Sequence, residues 1–511
     1  MTGGSGRALR LRLLLDSNVV IAVEPYSGVL EPGMRSGAKL LRLANEQGQL
    51  LCVTVATRDD LLEAKDPAQR AQRLAELEKF HILEEVPIPD ALTARVGNSV
   101  PGTNDHRDLR IIAALHAGAA THLVTDDYKL RRRAERAGLA ERVMTLEEAV
   151  ALLAQFEPAE TPPPPRVSKP ATYTLRTDDP IFDSLRADYD EFDDWFAKVR
   201  AESETRTCYL IDEGDRHAAL AILKPEPDCP YELHQPVMKI CTFKVSSEHP
   251  NVKFGELLLK AILMDAADSP TATLYVEVLP SHPGVIGFLE SFGFVDTGSR
   301  NTRKEHVLAK SLRPFTESHG ADLSDLEYHI RFGPPALRCS QQVFVVPIEP
   351  RWHDQLFPER APRRRSEQLE LFPLGSPVTH PWGNALRKAY LCNSPTNQIE
   401  LGDVLLFYRS QDAQAISAIG IVEDALRSVD PDEVVKFVGR RTVYSPAEIA
   451  RMTRSVRGVL AIRFRQDRFV EPPWTYDALR VAGVLGGRPQ SITKLDGAGA
   501  GWVRERLVGS G

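Results

Sequence analysis

The sequence predicts a multidomain protein of the α/β and α+β classes, and three observations support this. The chain has 511 residues, which is too long for one hydrophobic core and indicates about three domains. Residues 9–156 alternate short apolar runs with amphipathic helical patterns, as expected for a domain built on a parallel sheet. After residue 338, short alternating strand patterns with Gly and Pro turns predict a small β-barrel.

The composition is that of an ordinary globular protein, with 42% hydrophobic and 26% charged residues. Neither an apolar run of membrane-spanning length nor a signal-peptide core is present, so we expect a cytoplasmic protein without membrane contact. The six cysteines are scattered and form no C-x-x-C pair. This spacing excludes a disulfide scaffold and a cysteine-based zinc site as the organising feature.

Proline-rich segments divide the chain. The segment "EPAETPPPPRVSKP", residues 157–170, cannot continue a helix or join a sheet interior and is predicted to be an extended linker. A second break is predicted around residues 332–340, where "FGPPALRCS" interrupts the strand and helix patterns. The predicted domains are therefore 1–156, 171–315 and 338–511.

Acidic residues cluster at particular positions of the first domain. In a parallel sheet, ligands bind beyond the carboxyl ends of the strands. One apolar run ends at Asp16, and another ends at the pair Asp126 and Asp127. Two predicted helices carry acidic pairs near their start, namely Asp59 with Asp60 and Asp105 with Asp108. Each acid alone is explained by a turn or a helix N-cap. Four acidic sites at one sheet edge favour a metal site instead.

The segments "LLLDSNVV", "RDDLLEA", "NDHRDLRIIAAL" and "THLVTDDYKLRRRAERAGL" resemble the PIN-domain nucleases in content and order. The resemblance implies a Mg²⁺- or Mn²⁺-dependent ribonuclease in which Asp16, Asp108 and Asp127 match the family's first, third and last acids. The family's second acid is commonly a glutamate. Here that place holds Asp59, Asp60 or Glu63, of which we favour Asp60, and the further candidate metal ligands are Asp59, Asp105 and Asp126.

Elementary chemistry agrees with a metal site. Mg²⁺ prefers hard oxygen ligands, and a bound ion lowers the pKa of water and stabilises an in-line phosphoryl displacement. Four converging carboxylates without a cation would repel one another and raise each other's pKa values. The basic helix "KLRRRAERAG" after Asp127 would either guide an RNA backbone or serve as a solvated face.

The second domain follows a strand, helix, strand, helix order, and the helix "KFGELLLKAILMDAA" has an N-terminus suited to a pyrophosphate. The segments "NVKFGE" and "IGFLESFGF" resemble the phosphate loop and closing motif of the GNAT acetyltransferases. The resemblance implies acetyl-CoA as cofactor. The residues that would hold it are Lys253, Phe254, Gly255 and Glu256.

Two departures from the GNAT pattern bear on catalysis. The phosphate loop commonly reads basic-x-x-Gly-x-Gly, and of this only Lys253 and Gly255 remain. Leu289 stands where the family commonly has a tyrosine that acts as general acid. An acyl-CoA sensor or a structural platform is therefore the alternative to an active acetyltransferase.

The third domain contains "PIEPRWHDQLFP" and "GDVLLFYRS", which resemble the ASCH and PUA-like domains, and the resemblance implies an RNA-binding barrel. From Arg338 to the end there are 24 basic against 19 acidic residues, and 21 of the basic ones are Arg, which suits phosphate contact and base stacking. The aromatic residues, Trp352 included, would alternatively form the barrel core. The RNA-binding candidates are Arg363, Arg364, Arg365, Trp382, Tyr408 and Arg409.

The sequence thus favours a metal-dependent ribonuclease whose GNAT-like and ASCH/PUA-like modules regulate it and bind RNA, as in toxin-like control. One alternative is an acetyl-CoA-dependent N-acetyltransferase that acts on tRNA or protein, with the first domain as a scaffold. Another is a non-catalytic RNA-binding regulator. A homo-oligomer is compatible with each of these functions.

Overall fold

Three β-sheets follow one another along the chain in the computed structural model, which has parallel and mixed sheets with helices packed on them. The structure describes residues 10–23, 34–61, 77, 79–154, 156, 167–213, 216–246, 253–316, 318–360, 383 and 385–508. We refer to the regions that contain the first, second and third sheets as the N-terminal, central and C-terminal parts.

The N-terminal sheet has five strands, all parallel, in the order β3-β2-β1-β4-β5. Leu13 and Leu15 join one hydrophobic cluster while Leu14 joins another, so both faces of β1 are buried beneath helices. This confirms the parallel sheet predicted from the apolar runs. The strands are β1 (Arg12–Leu15), β2 (Leu50–Thr54), β3 (His81–Leu83), β4 (His122–Val124) and β5 (Val143–Met144).

Helices of the N-terminal part alternate with its strands. Those at Met34–Glu46, Asn104–His116, Tyr128–Arg136 and Leu146–Ala154 lie where the sequence predicts helices, whereas those at Ser17–Val23 and Asp90–Val96 were not predicted. α5 begins after Thr103, whose hydroxyl accepts a hydrogen bond from the His106 N–H, and its apolar residues pack against the sheet. The helices are α1 (Ser17–Val23), α2 (Met34–Glu46), α3 (Val55–Leu61), α4 (Asp90–Val96), α5 (Asn104–His116), α6 (Tyr128–Arg136) and α7 (Leu146–Ala154).

The central sheet has six strands in the order β10-β11-β9-β8-β7-β6, and only β8 and β9 are parallel. Its strands are β6 (Thr207–Glu213), β7 (Arg216–Pro225), β8 (Val237–Val245), β9 (Thr273–Val278), β10 (Val295–Arg300) and β11 (His306–Ser311). Its helices are α8 (Asp183–Asp188), α9 (Phe192–Ala201), α10 (Phe254–Ala267) and α11 (Pro283–Ser291). Ser168, inside the predicted linker, forms an isolated bridge with Leu210, so that linker ends earlier than predicted.

The parallel strands β8 and β9 part before they end. Their pairing runs from Val237–Ile240 on β8 to Thr273–Val276 on β9 and stops there. Of the remaining β8 residues, 242–245 pair with β7 alone, and Cys241 lies at a register shift in that pairing. Because α10 follows β8 and α11 follows β9, both helices begin on the side where the strands part. This produces an opening at the carboxyl ends of the only parallel pair in the sheet.

The C-terminal sheet is mixed, in the order β13-β16-β15-β14-β12-β17. Within the described residues the pairing is that of an open sheet, so the predicted closed barrel is not shown. The strands are β12 (Val343–Ile348), β13 (Arg387–Cys392), β14 (Val404–Arg409), β15 (Ala415–Ser428), β16 (Val459–Thr475) and β17 (Thr493–Lys494). The helices, including α12 before this sheet, are α12 (Asp325–Phe332), α13 (Pro350–Leu356), α14 (Pro431–Val438), α15 (Pro446–Met452), α16 (Tyr476–Val481) and α17 (Gly497–Val508).

The three parts contact one another directly. Arg12 pairs with Asp432 at 2.9 Å, and the Tyr128 hydroxyl donates to the Pro283 carbonyl at 3.0 Å. One hydrophobic cluster contains residues of both the N-terminal and the C-terminal part. No helix in the described part of the chain combines the length and apolar character needed to cross a bilayer.

Candidate functional site

The carboxylate edge, as we call the predicted acidic sites of the N-terminal part, lies beyond β1 and β4. Asp16 follows β1, is only 8% exposed, and accepts hydrogen bonds from the Thr125 hydroxyl at 2.7 Å and the Ser17 N–H at 2.8 Å. Burial, with smaller contributions from nearby Asp127 and Asp60, raises the pKa of Asp16 to about 6 despite these two bonds. Asp16 is therefore buried among acids.

Asp108, on α5, has the same character. Burial raises the pKa of Asp108 to about 6, and the nearby Asp16 and Asp127 add to this rise. The cation that lowers the pKa of Asp108 is Arg133, whose guanidinium also donates to backbone carbonyl groups. Asp16, Asp108 and Asp127 therefore lie at one edge of the sheet, and the Asp127 charge is close enough to raise the pKa of the other two.

The other carboxylates at this edge have ordinary structural partners. The Asp127 carboxylate accepts hydrogen bonds from the Lys129 and Leu130 N–H groups and caps α6. The remaining four are accounted for as follows: Asp59 pairs with Arg110 (2.7 Å), Asp60 pairs with Arg107 (3.1 Å), Asp126 accepts from the Leu146 N–H (3.1 Å), and Asp105 is exposed in the first turn of α5.

No set of three acidic, His or Cys side chains in the described part of the chain is placed to bind one metal ion. Glu63, the alternative second ligand, lies outside the described residues. The metal-ligand assignments therefore stay a prediction.

A second group of polar side chains lies where β8 and β9 part. We call Asp188, Tyr189, Lys244, His282 and Glu305 the strand-end cluster. The His282 Nε2 atom is 3.0 Å from Asp188, and the Tyr189 hydroxyl donates to Glu305 at 2.6 Å. Burial and the neighbouring Glu305 raise the pKa of Tyr189 above its usual range, so this hydroxyl remains a donor. Burial lowers the pKa of Lys244, and Asp188 partly offsets that effect.

Glu305 is only 5% exposed, and its second oxygen accepts a hydrogen bond from Asn301. The Asn301 side chain also contacts Glu277 on β9, which accepts from Lys239 at 2.6 Å and from Tyr231. Burial alone would raise the pKa of Glu277, but the bonds from Lys239 and Tyr231 bring it below its ordinary value. The two glutamates thus differ in their partners. Glu277 forms an ion pair with a lysine, whereas Glu305 accepts hydrogen bonds from the uncharged side chains of Tyr189 and Asn301.

The four predicted acetyl-CoA contacts lie at the start of α10. Lys253 precedes the helix with a left-handed φ of 61°, and Phe254 is buried in the hydrophobic core. A Cβ added to Gly255 would lie 3.6 Å from the Phe288 ring, an ordinary contact that leaves this glycine without a steric requirement. Glu256 is buried, and its carboxylate accepts from the Leu386 N–H of the C-terminal part at 2.8 Å.

The RNA-binding candidates of the C-terminal part fall into two groups. Tyr408 and Arg409 are buried, and the Arg409 guanidinium contacts Asp354 and Asp412, so neither is placed on a surface that RNA could reach. Trp352 packs on Tyr444, with ring centres 4.2 Å apart. The others lie outside the described residues, namely Arg363, Arg364, Arg365 and Trp382.

His353 and Ser417 lie 2.6 Å apart inside the C-terminal part, a spacing found between a base and a nucleophile. Arg409 donates to the His353 Nδ1 atom at 3.0 Å, and burial lowers the pKa of His353. The neutral ring therefore carries its proton on Nε2 and donates it to the Ser417 hydroxyl. This histidine cannot take the hydroxyl proton, so the pair is structural.

The strand-end cluster was not predicted from the sequence. Asp188 ends α8 and Tyr189 follows it, whereas the other three members come from β8, from the residues before α11 and from the β10–β11 connection, far apart in the sequence. The usable signal was the order of strands and helices, which brings these connections to the opening between β8 and β9.

Residues 169–294 match the acetyltransferase (GNAT) family. No match was found among the curated proteins. Among similar solved structures is a GNAT family acetyltransferase from Elizabethkingia anophelis with acetyl-CoA bound, at 16% identity over 29% of this chain and 98% of that chain, with a TM-score of 0.23. The ribosomal-protein-S18-alanine N-acetyltransferase from Escherichia coli is similar at 18% identity over 30% of this chain and 98% of that chain, with a TM-score of 0.21. The ASCH protein from Zymomonas mobilis is similar at 12% identity over 33% of this chain and 94% of that chain, with a TM-score of 0.23. Such scores are too low to support a conclusion.

Proposed function

We propose that the central part transfers an acyl group from an acyl-CoA to an amine. The observation that carries this proposal is the match of residues 169–294 to the acetyltransferase (GNAT) family. The alternative function predicted from the sequence thereby becomes the favoured one, ahead of RNA cleavage. Which amine is acylated, on tRNA or on protein, stays a prediction.

The geometry fits an acyl-CoA. Residues 241–245 of β8 have no strand partner on the β9 side, so their backbone can pair with the amide groups of an extended ligand. α10 begins at the same opening, and a helix N-terminus carries partial positive charge that suits phosphates. Lys253 adds a full positive charge at that helix end.

Bound at this opening, an acyl-CoA supplies a thioester carbonyl that an amine can attack. Glu305 is the candidate proton acceptor, because it is buried and its hydrogen bonds come from the neutral donors Tyr189 and Asn301. Leu289, which stands at the family's tyrosine position, is buried in the core and has no ionisable group that could act as a general acid. His282, whose Nε2 atom lies 3.0 Å from Asp188, is the candidate donor of the proton that the CoA thiolate takes up when the amine displaces it and the C–S bond breaks.

The test is release of CoA from acetyl-CoA by the full chain, with spermidine, a lysine peptide and aminoacylated tRNA as acceptors. Glu305→Gln should lower kcat by about 10²–10⁴ while the KM for acetyl-CoA changes little, because the lost group acts on the acceptor proton. Glu290→Gln, an exposed glutamate on α11, is the matched control and should behave as the parent. Equal rates for the parent and Glu305→Gln would remove Glu305 from the reaction.

A second candidate is the metal-dependent RNA cleavage predicted from the sequence, and the raised pKa values of Asp16 and Asp108 bear on its cation-binding step. Two carboxyl groups at one edge with pKa values of about 6 would gain from a bound divalent cation. Total RNA would be incubated with the protein and Mn²⁺, with and without chelator. Cleavage by the parent that is absent with chelator and in Asp16→Asn would support this function, and cleavage by Asp16→Asn at the parent rate would exclude it.

A further inference from the structure

All three parts of the chain meet at the start of α10. We define the junction cluster as Glu148 on α7, Lys253 and Glu256 at the start of α10, and Arg440 after α14. The Lys253 Nζ atom lies 3.2 Å from Glu148 and 3.5 Å from Glu256. The Arg440 Nη1 atom lies 2.9 Å from both carboxylate oxygens of Glu148. A glutamate of the N-terminal part therefore connects cations of the other two parts.

The junction cluster is shielded from water. The side chains of Glu148 and Lys253 are 4% and 12% exposed. Burial alone would raise the pKa of Glu148, but Arg440 and Lys253 lower it to about 2, so this carboxylate stays ionised at any pH near neutrality. In such surroundings the attraction between Glu148 and Lys253 is much stronger than between exposed ions.

At the start of α10, the helix end that suits phosphates, the cation Lys253 is already paired with carboxylates. Two carboxylates, Glu148 and Glu256, lie against the Lys253 ammonium, and phosphates arriving there would meet negative charge from both. Glu256 belongs to α10 itself and also binds the Leu386 N–H. Glu148 belongs to another part of the chain, and a small shift of α7 would remove it from Lys253.

We propose that Glu148 competes with the phosphates of an acyl-CoA for Lys253, so that the N-terminal part controls how readily the central part takes its cofactor. This inference rests on the proposed acyl transfer. Such coupling is reciprocal: a ligand that shifts α7 tightens cofactor binding, and cofactor binding loosens the contact between α7 and α10 by the same factor. Couplings of this kind typically amount to about 5- to 150-fold in affinity.

Calorimetric titration of the full chain with coenzyme A tests the competition. Glu148→Gln removes the charge but keeps an acceptor for the Thr145 N–H, which Glu148 binds at the start of α7. This variant should bind coenzyme A about 10- to 100-fold more tightly than the parent. The matched control Glu135→Gln, an exposed glutamate on α6, should leave the affinity unchanged. Adding Lys253→Met to Glu148→Gln should abolish the gain, which assigns it to Lys253 rather than to Arg440.

Hydrogen exchange on the unmodified chain gives a readout that needs no variant. Coenzyme A should speed amide exchange in α7, because its phosphates release Glu148 from Lys253. If Glu148→Gln does not fold, this measurement alone decides. Tight binding to the parent with α7 unaffected would overturn the competition and leave acyl transfer intact. Absence of coenzyme A binding to both the parent and a folded Glu148→Gln would overturn acyl transfer as well.

Discussion

The carboxylate edge and the junction cluster both bury carboxylates, yet their ionisation is shifted in opposite directions. Burial raises the pKa of Asp16 and Asp108 to about 6. At the junction, Glu148 is buried at least as deeply, and its cations lower its pKa to about 2. The difference lies in the neighbouring charge, because acids surround Asp16 and Asp108 whereas Arg440 and Lys253 surround Glu148.

This difference separates two uses of buried acid. A carboxylate matched by buried cations holds parts of a protein together and gains little from a further ligand. A carboxylate surrounded by other acids is costly in the folded state, and a cation from outside would relieve that cost. The carboxylate edge is therefore a region where folding carries an electrostatic cost, whereas at the junction cluster the buried charges are matched.

The largest effect is expected where the matched charges are broken. Glu141 pairs with Arg441 and, at 3.2 Å, with Arg387. Glu141→Ala leaves these buried arginines without this carboxylate. It should lower the free energy of unfolding by about 3–5 kcal/mol, as measured by differential scanning calorimetry. The exposed control Glu135→Ala should change stability by about 0.5 kcal/mol or less. A loss as small as that of the control would mean that Glu141 and its arginines do not hold the N-terminal and C-terminal parts together.

An intermediate effect of opposite sign is expected at the carboxylate edge. The pKa of Asp108 is about 6 in the folded chain against an ordinary value of 3.8, so its contribution to stability is full below pH 3.8 and is lost as pH rises through 6. Asp108→Asn removes this loss. It should raise stability by about 1–2 kcal/mol at pH 8 and leave it unchanged near pH 4.

Melting temperatures of Asp108→Asn at the two pH values check this. Asp228→Asn, an exposed aspartate in a turn, is the control and should show no pH-dependent gain. Destabilisation of Asp108→Asn at pH 8 would mean that a cation already matches the Asp108 charge, and the contrast between the two regions would disappear.

The smallest effect on stability is expected for an acid of the carboxylate edge that forms an ion pair near the protein surface. Asp60 pairs with Arg107 at 3.1 Å, and its side chain is 35% exposed. Asp60→Asn should cost about 0.5 kcal/mol or less, and the cost should shrink at 1 M salt, where surface charges are screened. A cost close to that of Glu141→Ala, independent of salt, would place Asp60 in a buried network like that of the junction.

The sequence predicted those features that depend on local pattern. The apolar run that contains Leu14 forms a parallel strand, and α5 begins at Asn104, so that Asp105 and Asp108 lie near the start of a helix as predicted. The GNAT segments were identified from "NVKFGE" and "IGFLESFGF", and residues 169–294 match that family. Such patterns are visible because helix and strand periods repeat within a few residues.

The sites that depend on distant residues could not be predicted in this way. Glu148 and Arg440 are 292 positions apart, and Tyr189 and Glu305 are 116 positions apart. Nothing in the sequence around Glu148 distinguishes it from an N-terminal helix acid, because its partner is fixed by how the three parts pack. Tyr408 was expected at an RNA surface for the same reason: whether an aromatic residue of a strand is buried depends on what covers that face.

The long sequence separation between the ion-pair partners that join the N-terminal and C-terminal parts also bears on folding during synthesis. During synthesis Glu141 and Glu148 leave the ribosome some 290–300 residues before Arg440 and Arg441. At about 5–20 residues per second, the two glutamates wait roughly 15–60 seconds for these two arginines, although Lys253, the other cation that contacts Glu148, follows it after only 105 residues. Until then the N-terminal part cannot bury that surface in its final form. Chains released before residue 440 would lack Arg440 and Arg441, and Glu141 and Glu148 would be without these two ion pairs.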